Sequence, residues 1–274
     1  MVAGRVGAWC APTSRIGWLD RTEGAAVADD TVVPELPRGI ALAWGAVPPP
    51  QRGPKREFSL AQVLDAAVVL ADADGIDAVT MPAVAKALGL TAMSLYRYVA
   101  SKETLLLLLQ EQGMGLPPGS IAEAEGWRAG LESYAEASGA VYRRHPWMLD
   151  IAITGVASTP NNLAWLEAGL TALAGTALSR QERVAVVLQV SGHARFRALV
   201  ERGYADRADE AGEQLSGVVL SEARLLGRLV AEDRFPELHA TLDAGALVDP
   251  SFDNFDFGLA RLLDGVAHYL DRSA

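Results

Sequence analysis

The fold is decided by the stretch Phe58–Leu109, which reads FSLAQVLDAAVVLADADGIDAVTMPAVAKALGLTAMSLYRYVASKETLLLLL. A first helix is predicted to begin after Ser59, because Ser59 and Gln62 have the spacing of a capping box. Apolar residues then recur with helical period: Leu60, Val63, Leu64, Ala67 and Val68. Gly75 supplies the residue at which this helix is expected to end.

Two shorter helices are predicted to follow. Thr80 is the candidate N-cap of the second helix, and Thr91 is the candidate N-cap of the third, which covers residues 92–98. A helix of about two turns is unstable alone in water, so the third must be held by the packing of Leu95 and Val99. Two helices joined by a tight turn with glycine form a helix-turn-helix, whose second helix enters the major groove of DNA.

Three segments of this stretch resemble the DNA-binding domain of the tetracycline-repressor (TetR) family of bacterial transcription factors. They are LAQVLDAAVVLADADG (60–75), TMPAVAKALGL (80–90) and TAMSLYRYVASKETLL (91–106). Beyond Leu109 only the order and the lengths of the predicted helices match the family. The resemblance implies an all-α fold, with a three-helix helix-turn-helix DNA-binding domain at residues 51–104. A larger helical domain for ligand binding and dimerisation would occupy residues 105–274.

Residues 1–50 are rich in glycine, alanine and proline and show no sustained period. Prolines forbid a continuous helix there, so this segment is predicted to be a disordered extension, or to result from a start codon placed too far upstream. The basic segment that follows contains Lys55 and Arg56, which we expect to lie along phosphates or to enter the minor groove. The alternative for this basic segment is a solvated charge cluster.

The resemblance also assigns roles in DNA binding. Thr80 would bind a phosphate, and Thr91, Ala92 and Met93 would face base edges, where small or apolar side chains can contact a thymine methyl. Tyr96, Tyr98 and Lys102 would contact phosphates, and Arg97 would contact a phosphate or a guanine. For Tyr96 and Tyr98 the alternative is that one of them belongs to the core. Pro82 stands where some family members carry a base-reading arginine, so this contact is absent.

Charge is distributed unevenly along the chain. Residues 51–102 contain six Lys and Arg against five Asp and Glu, which gives this segment a net charge of +1. Because the whole chain has a net charge of −10, the remaining residues carry a net charge of −11. A high negative charge argues against a nonspecific coat on nucleic acid, but it permits sequence-specific binding through one face. The distribution is that of a modest DNA-facing module on an acidic body.

Several other classes of protein are disfavoured. One cysteine excludes a disulfide framework and a cysteine-rich zinc site. No apolar run is long enough to span a membrane, no signal peptide is recognisable, and we expect a cytoplasmic protein. The motifs of hydrolases, nucleotide-binding enzymes and metalloproteases are missing from the sequence, which predicts neither an enzyme nor a cofactor or metal site.

The body is predicted to contain a small-molecule site and a dimer seam. Five consecutive leucines, Leu105–Leu109, indicate a fourth helix buried between two domains. Aromatic and polar residues of the middle helices suggest an inducer pocket lined by Tyr134, Trp147, Trp165 and His193, although each is individually more typical of a core position. Two late helices, 181–204 and 252–270, are proposed as the dimer seam, with internal packing as the alternative.

The predicted function is therefore that of a homodimeric repressor of transcription. It would bind double-stranded operator DNA and be released by an unknown small-molecule inducer. The same sequence is compatible with an activator. The competing interpretation is a helical sensor or protein-interaction module that no longer binds DNA.

Overall fold

The computed structural model describes residues 36–47, 58–153, 155, 158–249 and 253–273. Within these ranges every regular element is helical, which confirms the all-α prediction. The α-helices are α1 (Arg38–Ala43), α2 (Leu60–Asp74), α3 (Met81–Ala87), α4 (Ala92–Leu95), α5 (Lys102–Met114), α6 (Ser120–Glu123), α7 (Gly126–Arg144), α8 (Pro160–Ala172), α9 (Arg180–Ala211), α10 (Leu215–Leu229), α11 (Pro236–Asp243) and α12 (Asn254–Ser273). Short 3-10 helices occupy Ile76–Ala78 and Pro146–Asp150.

Helices α2–α4 form a compact head whose helix starts are those predicted. The capping box is confirmed, because the Ser59 hydroxyl accepts the Gln62 N–H at 3.1 Å and the Gln62 side chain accepts the Ser59 N–H at 2.8 Å. Thr80 and Thr91 each accept the backbone N–H three residues further on. Helix α4 has only four residues and continues as turns, and its position is fixed because the side chains of Leu95 and Val99 are fully buried.

Helix α5 connects the head to the body. Leu105, Leu108 and Leu109 are buried in the core of the head, while Leu106 and Leu107 are half-buried. The prediction of a helix buried on every side is therefore only partly correct, although α5 does pack against both the head and α8 of the body. Because these leucines belong to the head core, the body does not begin at residue 105, and α5 is shared by both domains.

The N-terminal extension contains an ordered helix, so the prediction of disorder throughout residues 1–50 is wrong for α1. Gly39 and Ala43 of this helix are buried against α5, where a Cβ built on Gly39 would lie 2.8 Å from Leu107 Cδ2. The following Trp44 donates its indole N–H to the carbonyl oxygen of Ser158 at 2.9 Å. The sequence pattern concealed this helix because it is only six residues long and follows a proline.

The body is built around α7, α8 and α9, with α12 packed on the outside of α9. Its core contains Leu131, Tyr134, Trp165, Val187 and Leu263, among other residues. Helices α9 and α10 are separated at Gly212, which has a φ of 62°, and α11 lies between α10 and α12. None of the described helices has the length and apolarity needed to cross a membrane.

Helices α8 and α9 approach closely at Gly169. A Cβ built there would lie 2.7 and 2.8 Å from the two γ-methyl groups of Val187, a stiff β-branched side chain that is 1% exposed. We therefore expect Gly169→Ala to lower the free energy of unfolding by about 1–3 kcal/mol, the usual cost of overpacking. Urea denaturation followed by circular dichroism measures the change.

Gly227→Ala in α10 is the matched control, because nothing lies within 4 Å of a Cβ at this position. There the substitution should raise the free energy of unfolding by roughly 0.5–1 kcal/mol, since alanine is the better helix former. A Gly169→Ala protein as stable as the wild type would show that α8 and α9 are not packed this closely.

Candidate functional sites

The first candidate site is an outward face of the head, which we call the recognition face. Exposed side chains on α4, on the turn after it and at the start of α5 define it: Thr91, Met93, Tyr96, Arg97 and Lys102. Met93 is 78% exposed and Tyr96 is 47% exposed, which is unusual for large apolar and aromatic side chains on a folded domain. All five were predicted from the sequence to contact DNA.

Of the three other contacts predicted in the helix-turn-helix, two are only partly exposed. Thr80 and Ala92 are half-buried. The Thr80 hydroxyl caps α3 by accepting the Ala83 N–H at 3.2 Å. Capping uses an oxygen lone pair and leaves the hydroxyl proton available to a phosphate oxygen. The predicted basic contacts Lys55 and Arg56 lie outside the described residues.

Tyr98 does not belong to the recognition face, so the predicted outward position of its hydroxyl is corrected. Its side chain is 5% exposed, and its hydroxyl oxygen accepts the backbone N–H of Phe58 at 3.2 Å. Tyr98 thereby joins the turn after α4 to the start of α2. Its alternative role as a core residue, considered from the sequence, is the one that the structure supports.

The second candidate site is a cavity of about 420 Å³ in the body, bounded by α5, α7, α8, α9 and the segment that precedes α8. Two of the predicted pocket residues line it. Tyr134 and Trp165 meet edge to face there, with ring centroids 5.4 Å apart, and Trp165 donates its indole N–H to Gly115 O at 3.1 Å. Tyr142, Met148, Leu166 and Leu188 add apolar surface. A mainly apolar wall with a few polar groups is the usual chemistry of a small-molecule site.

Polar groups converge on this cavity from α7 and α9. The Tyr134 hydroxyl is 3.0 Å from the Ser191 hydroxyl, and burial raises the pKa of this tyrosine more than the Ser191 hydrogen bond lowers it, so the phenol stays neutral. The Arg195 guanidinium donates to the carbonyl oxygens of Leu149 and Ile151 at 2.8 and 2.9 Å. A bound molecule would thus meet hydroxyl groups and one fixed cation.

Trp147 was predicted to line the pocket, and the structure corrects this assignment. Its ring is 2% exposed and packs with the head core, where its indole N–H donates to Asp72 of α2 at 2.6 Å. His145 Nδ1 lies 2.8 Å from the same carboxylate oxygen. Trp147 and His145 therefore join the body to the head.

His193 also lies outside the cavity of about 420 Å³, which we call the aromatic cavity. Its Nε2 lies 2.8 Å from the carbonyl oxygen of Phe255, which ties α9 to the start of α12. It borders a separate cavity of about 240 Å³, lined by ion pairs that Arg197 makes with Glu201 and Asp256. The interior or interface role that the sequence analysis weighed for His193 agrees with this position.

Three residues that were not predicted from the sequence belong to the aromatic cavity or its surroundings. Ser191 and Arg195 lie one turn apart on α9. This spacing alone does not predict a binding site, because the sequence does not show which residues of other helices face them. Glu111 is 4% exposed in α5, and the sequence did carry a signal for it, since it is an acidic residue that closely follows five consecutive leucines in the same helix. Among the described residues, no group of three or more His, Cys, Asp or Glu could hold a metal ion.

Comparison with known proteins identifies the family of both domains. The model of the N-terminal domain of bacterial regulatory proteins of the tetR family matches residues 63–109, and that of the tetracyclin repressor-like C-terminal domain matches residues 121–270. The chain is 32% identical over 261 residues to the HTH-type transcriptional repressor DrrR1 of Streptomyces coeruleorubidus. The alignment covers 93% of this chain and 94% of that protein.

Solved structures share the fold. Apo ActR of Streptomyces coelicolor aligns with a TM-score of 0.63 and 21% identity, over 81% of this chain and all of that one. ActR in complex with actinorhodin aligns with a TM-score of 0.60 and 20% identity, over 78% of this chain and 98% of that one. Both domain models match in order along the chain, and DrrR1 is 32% identical over nearly the whole of both proteins. The chain therefore belongs to the TetR family of bacterial regulatory proteins.

Proposed function

We propose that this chain is a ligand-responsive repressor that binds an operator in double-stranded DNA as a homodimer, in the cytoplasm of a bacterium. The observation that carries the proposal is the recognition face, where a short helix presents exposed Met93, Tyr96 and Arg97 beside Lys102. Cationic and hydroxyl groups fix such a helix on the phosphates, while its first residues meet base edges in the major groove. The relative DrrR1, which is named a repressor, favours repression over activation.

The inferred homodimer uses an exposed stripe along α9. The exposed residues recur every three or four positions and are mostly apolar or small: Gln181, Ala185, Leu188, Gly192, Phe196, Leu199 and Gly203. Phe196 is 59% exposed and Leu188 is 47% exposed in the single chain. A second helix packed along such a stripe would cover it, and a symmetric dimer presents two recognition helices about 34 Å apart, one turn of DNA.

Helix α12 contributes to this inferred interface with a different face from the one its leucines form. Leu263 is fully buried against α7 and α9, so it belongs to the interior of the subunit. The outward face carries Phe257, which is 49% exposed, together with Arg261 and His268. This face would pack beside the α9 stripe in a four-helix interface.

The inducer is inferred to occupy the aromatic cavity. Its wall favours a planar, largely apolar molecule, because Tyr134, Tyr142 and Trp165 offer ring surfaces. The hydroxyl groups of Tyr134 and Ser191 and the guanidinium of Arg195 favour carbonyl or hydroxyl oxygens at its edge. The structural neighbours crystallised with actinorhodin and with minocycline supply two compounds for a first trial.

A salt titration tests the function. Duplexes selected from a randomised library should bind with a log K that falls with log salt at a slope of about −5, for a dimer that neutralises about six phosphates at −0.9 each. An inducer, sought first with the two named compounds, should lower K at constant salt. Fluorescence anisotropy of a labelled duplex measures both effects, and a slope near zero would favour the alternative of a sensor that does not bind DNA.

The two tyrosines of the recognition segment should respond differently to removal of the hydroxyl. Tyr96→Phe should lower DNA affinity by roughly 10-fold or more, because a hydrogen bond to a charged phosphate is lost, and should leave the melting temperature unchanged. Tyr98→Phe should lower the free energy of unfolding by about 1 kcal/mol, because it removes the acceptor for Phe58 N–H. Equal losses of DNA affinity in both variants at equal stability would contradict these assignments.

A charge on the α9 stripe should break the dimer. Phe196→Glu would place two carboxylates in the interface, so we expect a monomer in sedimentation velocity and a large loss of DNA affinity. Val69→Glu is the matched control, because Val69 is 69% exposed on α2, in the head. A Phe196→Glu protein that sediments as a dimer would exclude this stripe as the seam.

A further inference from the structure

Helices α5 and α8 are joined by a buried carboxylate. Glu111 Oε1 accepts the backbone N–H of Asn161 at 2.6 Å, and Oε2 accepts from the Asn162 side-chain amide at 3.3 Å. The backbone carbonyl of Glu111 also accepts from the Asn161 side-chain amide at 2.9 Å. Glu111 is 4% exposed and Asn161 is 6% exposed, so water competes little for these bonds. We call this set of contacts the Glu111 cap.

The Glu111 cap replaces the local cap that α8 lacks. Thr159 occupies the N-cap position of α8, but its side chain makes no capping bond and instead accepts from the Asn162 amide at 3.0 Å. The first N–H groups of a helix have no partner within it, and the positive end of the helix dipole favours an anion. A residue of α5 therefore satisfies the start of α8.

The same two helices each form part of the wall of the aromatic cavity. Gln110 and Met114 line it from α5, and Asn162, Trp165 and Leu166 line it from α8. Asn162 therefore belongs both to the cavity wall and to the Glu111 cap. A molecule in the cavity contacts the two helices that the cap holds together, and an acceptor on that molecule would compete with Glu111 for the Asn162 amide.

The N-terminal half of α5 is packed in the head. Leu105, Leu108 and Leu109 are buried there, so a shift of α5 relative to α8 displaces the recognition face relative to the body. Separating a buried carboxylate from its donors is costly. The contact accordingly favours two discrete arrangements, one with the cap made and one with it broken, over a continuous range.

We propose that Glu111 is the positioning residue through which the cavity controls DNA binding. With the Glu111 cap made, α5 holds the head in the arrangement that binds DNA. A ligand that separates α8 from α5, or that takes the Asn162 amide, breaks the cap and releases DNA. This inference rests on the proposed function and adds the contact by which its two sites communicate.

The test uses the reciprocity of coupled binding: if breaking the cap weakens DNA binding, then DNA binding must stabilise the cap. Hydrogen–deuterium exchange is measured on the full chain, for the peptide covering residues 160–166, with and without a saturating selected duplex. In the wild type, DNA should slow this exchange by at least about 5-fold, the lower end of typical coupling factors. In Glu111→Ala the slowing should disappear, and duplex affinity should fall by a similar factor.

Two further variants separate coupling from a merely structural role. Glu167→Ala removes an exposed carboxylate of α8 that does not line the cavity and lies outside the measured peptide, so it should keep both the slowing and the affinity. Glu111→Gln keeps the volume and an acceptor for Asn161 N–H but lacks the charge, so it should restore part of the slowing. It also provides the test if Glu111→Ala fails to fold.

The outcomes distinguish this inference from the function on which it rests. Wild-type protein that binds no duplex at any salt would remove the proposed function and the inference with it. Wild-type protein that binds duplex without slowed exchange at 160–166 would overturn the inference alone. A Glu111→Ala protein with wild-type affinity and wild-type slowing would do the same.

Discussion

The packing of α5 is the constraint on which the rest of the structure depends. Its leucines complete the hydrophobic core of the head, and the head needs them because α4 has only four residues and cannot be stable alone. The same helix reaches the body, where Glu111 meets the start of α8. One rigid element therefore serves two domains, so neither domain can move without an effect on the other.

The contacts between head and body have different strengths. The Asp72 carboxylate of α2 accepts the indole N–H of Trp147 and lies beside the His145 ring. Trp44, which follows α1, donates its indole N–H to the carbonyl oxygen of Ser158. Asp72 and Trp44 are partly exposed, so water can replace these bonds at low cost. The Glu111 cap is buried, and water cannot replace it. The Glu111 cap is thus a buried polar contact between the domains, whereas the bonds of Asp72 and Trp44 involve partly exposed side chains.

What the sequence predicted correctly was local. Ser59, Thr80 and Thr91 cap the helices predicted for them, since a cap is decided by residues three positions apart. The family resemblance located the exposed positions of the recognition face because its motif extends without a gap from Thr91 to Lys102.

What the sequence could not decide depends on partners distant in the chain. Tyr96 and Tyr98 are equivalent in the motif, and only the approach of Phe58 from 40 residues away shows which of them is internal. Trp147 was assigned to the cavity on its aromatic character, yet its indole partner Asp72 lies 75 residues earlier. Helix α1 was missed because six residues are too few to show a period.

The sharing of α5 has a consequence for chimeric regulators in which one head is grafted onto another body. Leu109 belongs to the core of the head, whereas Glu111 binds the start of α8 in the body. If the foreign head ends before α5, its helices must pack against the leucines of this chain's α5 instead of their own. If the foreign head includes all of α5, Glu111 is lost from this chain's body. The junction that respects both domains falls inside the helix, at Gln110, and α1 has to be exchanged together with the leucines it covers.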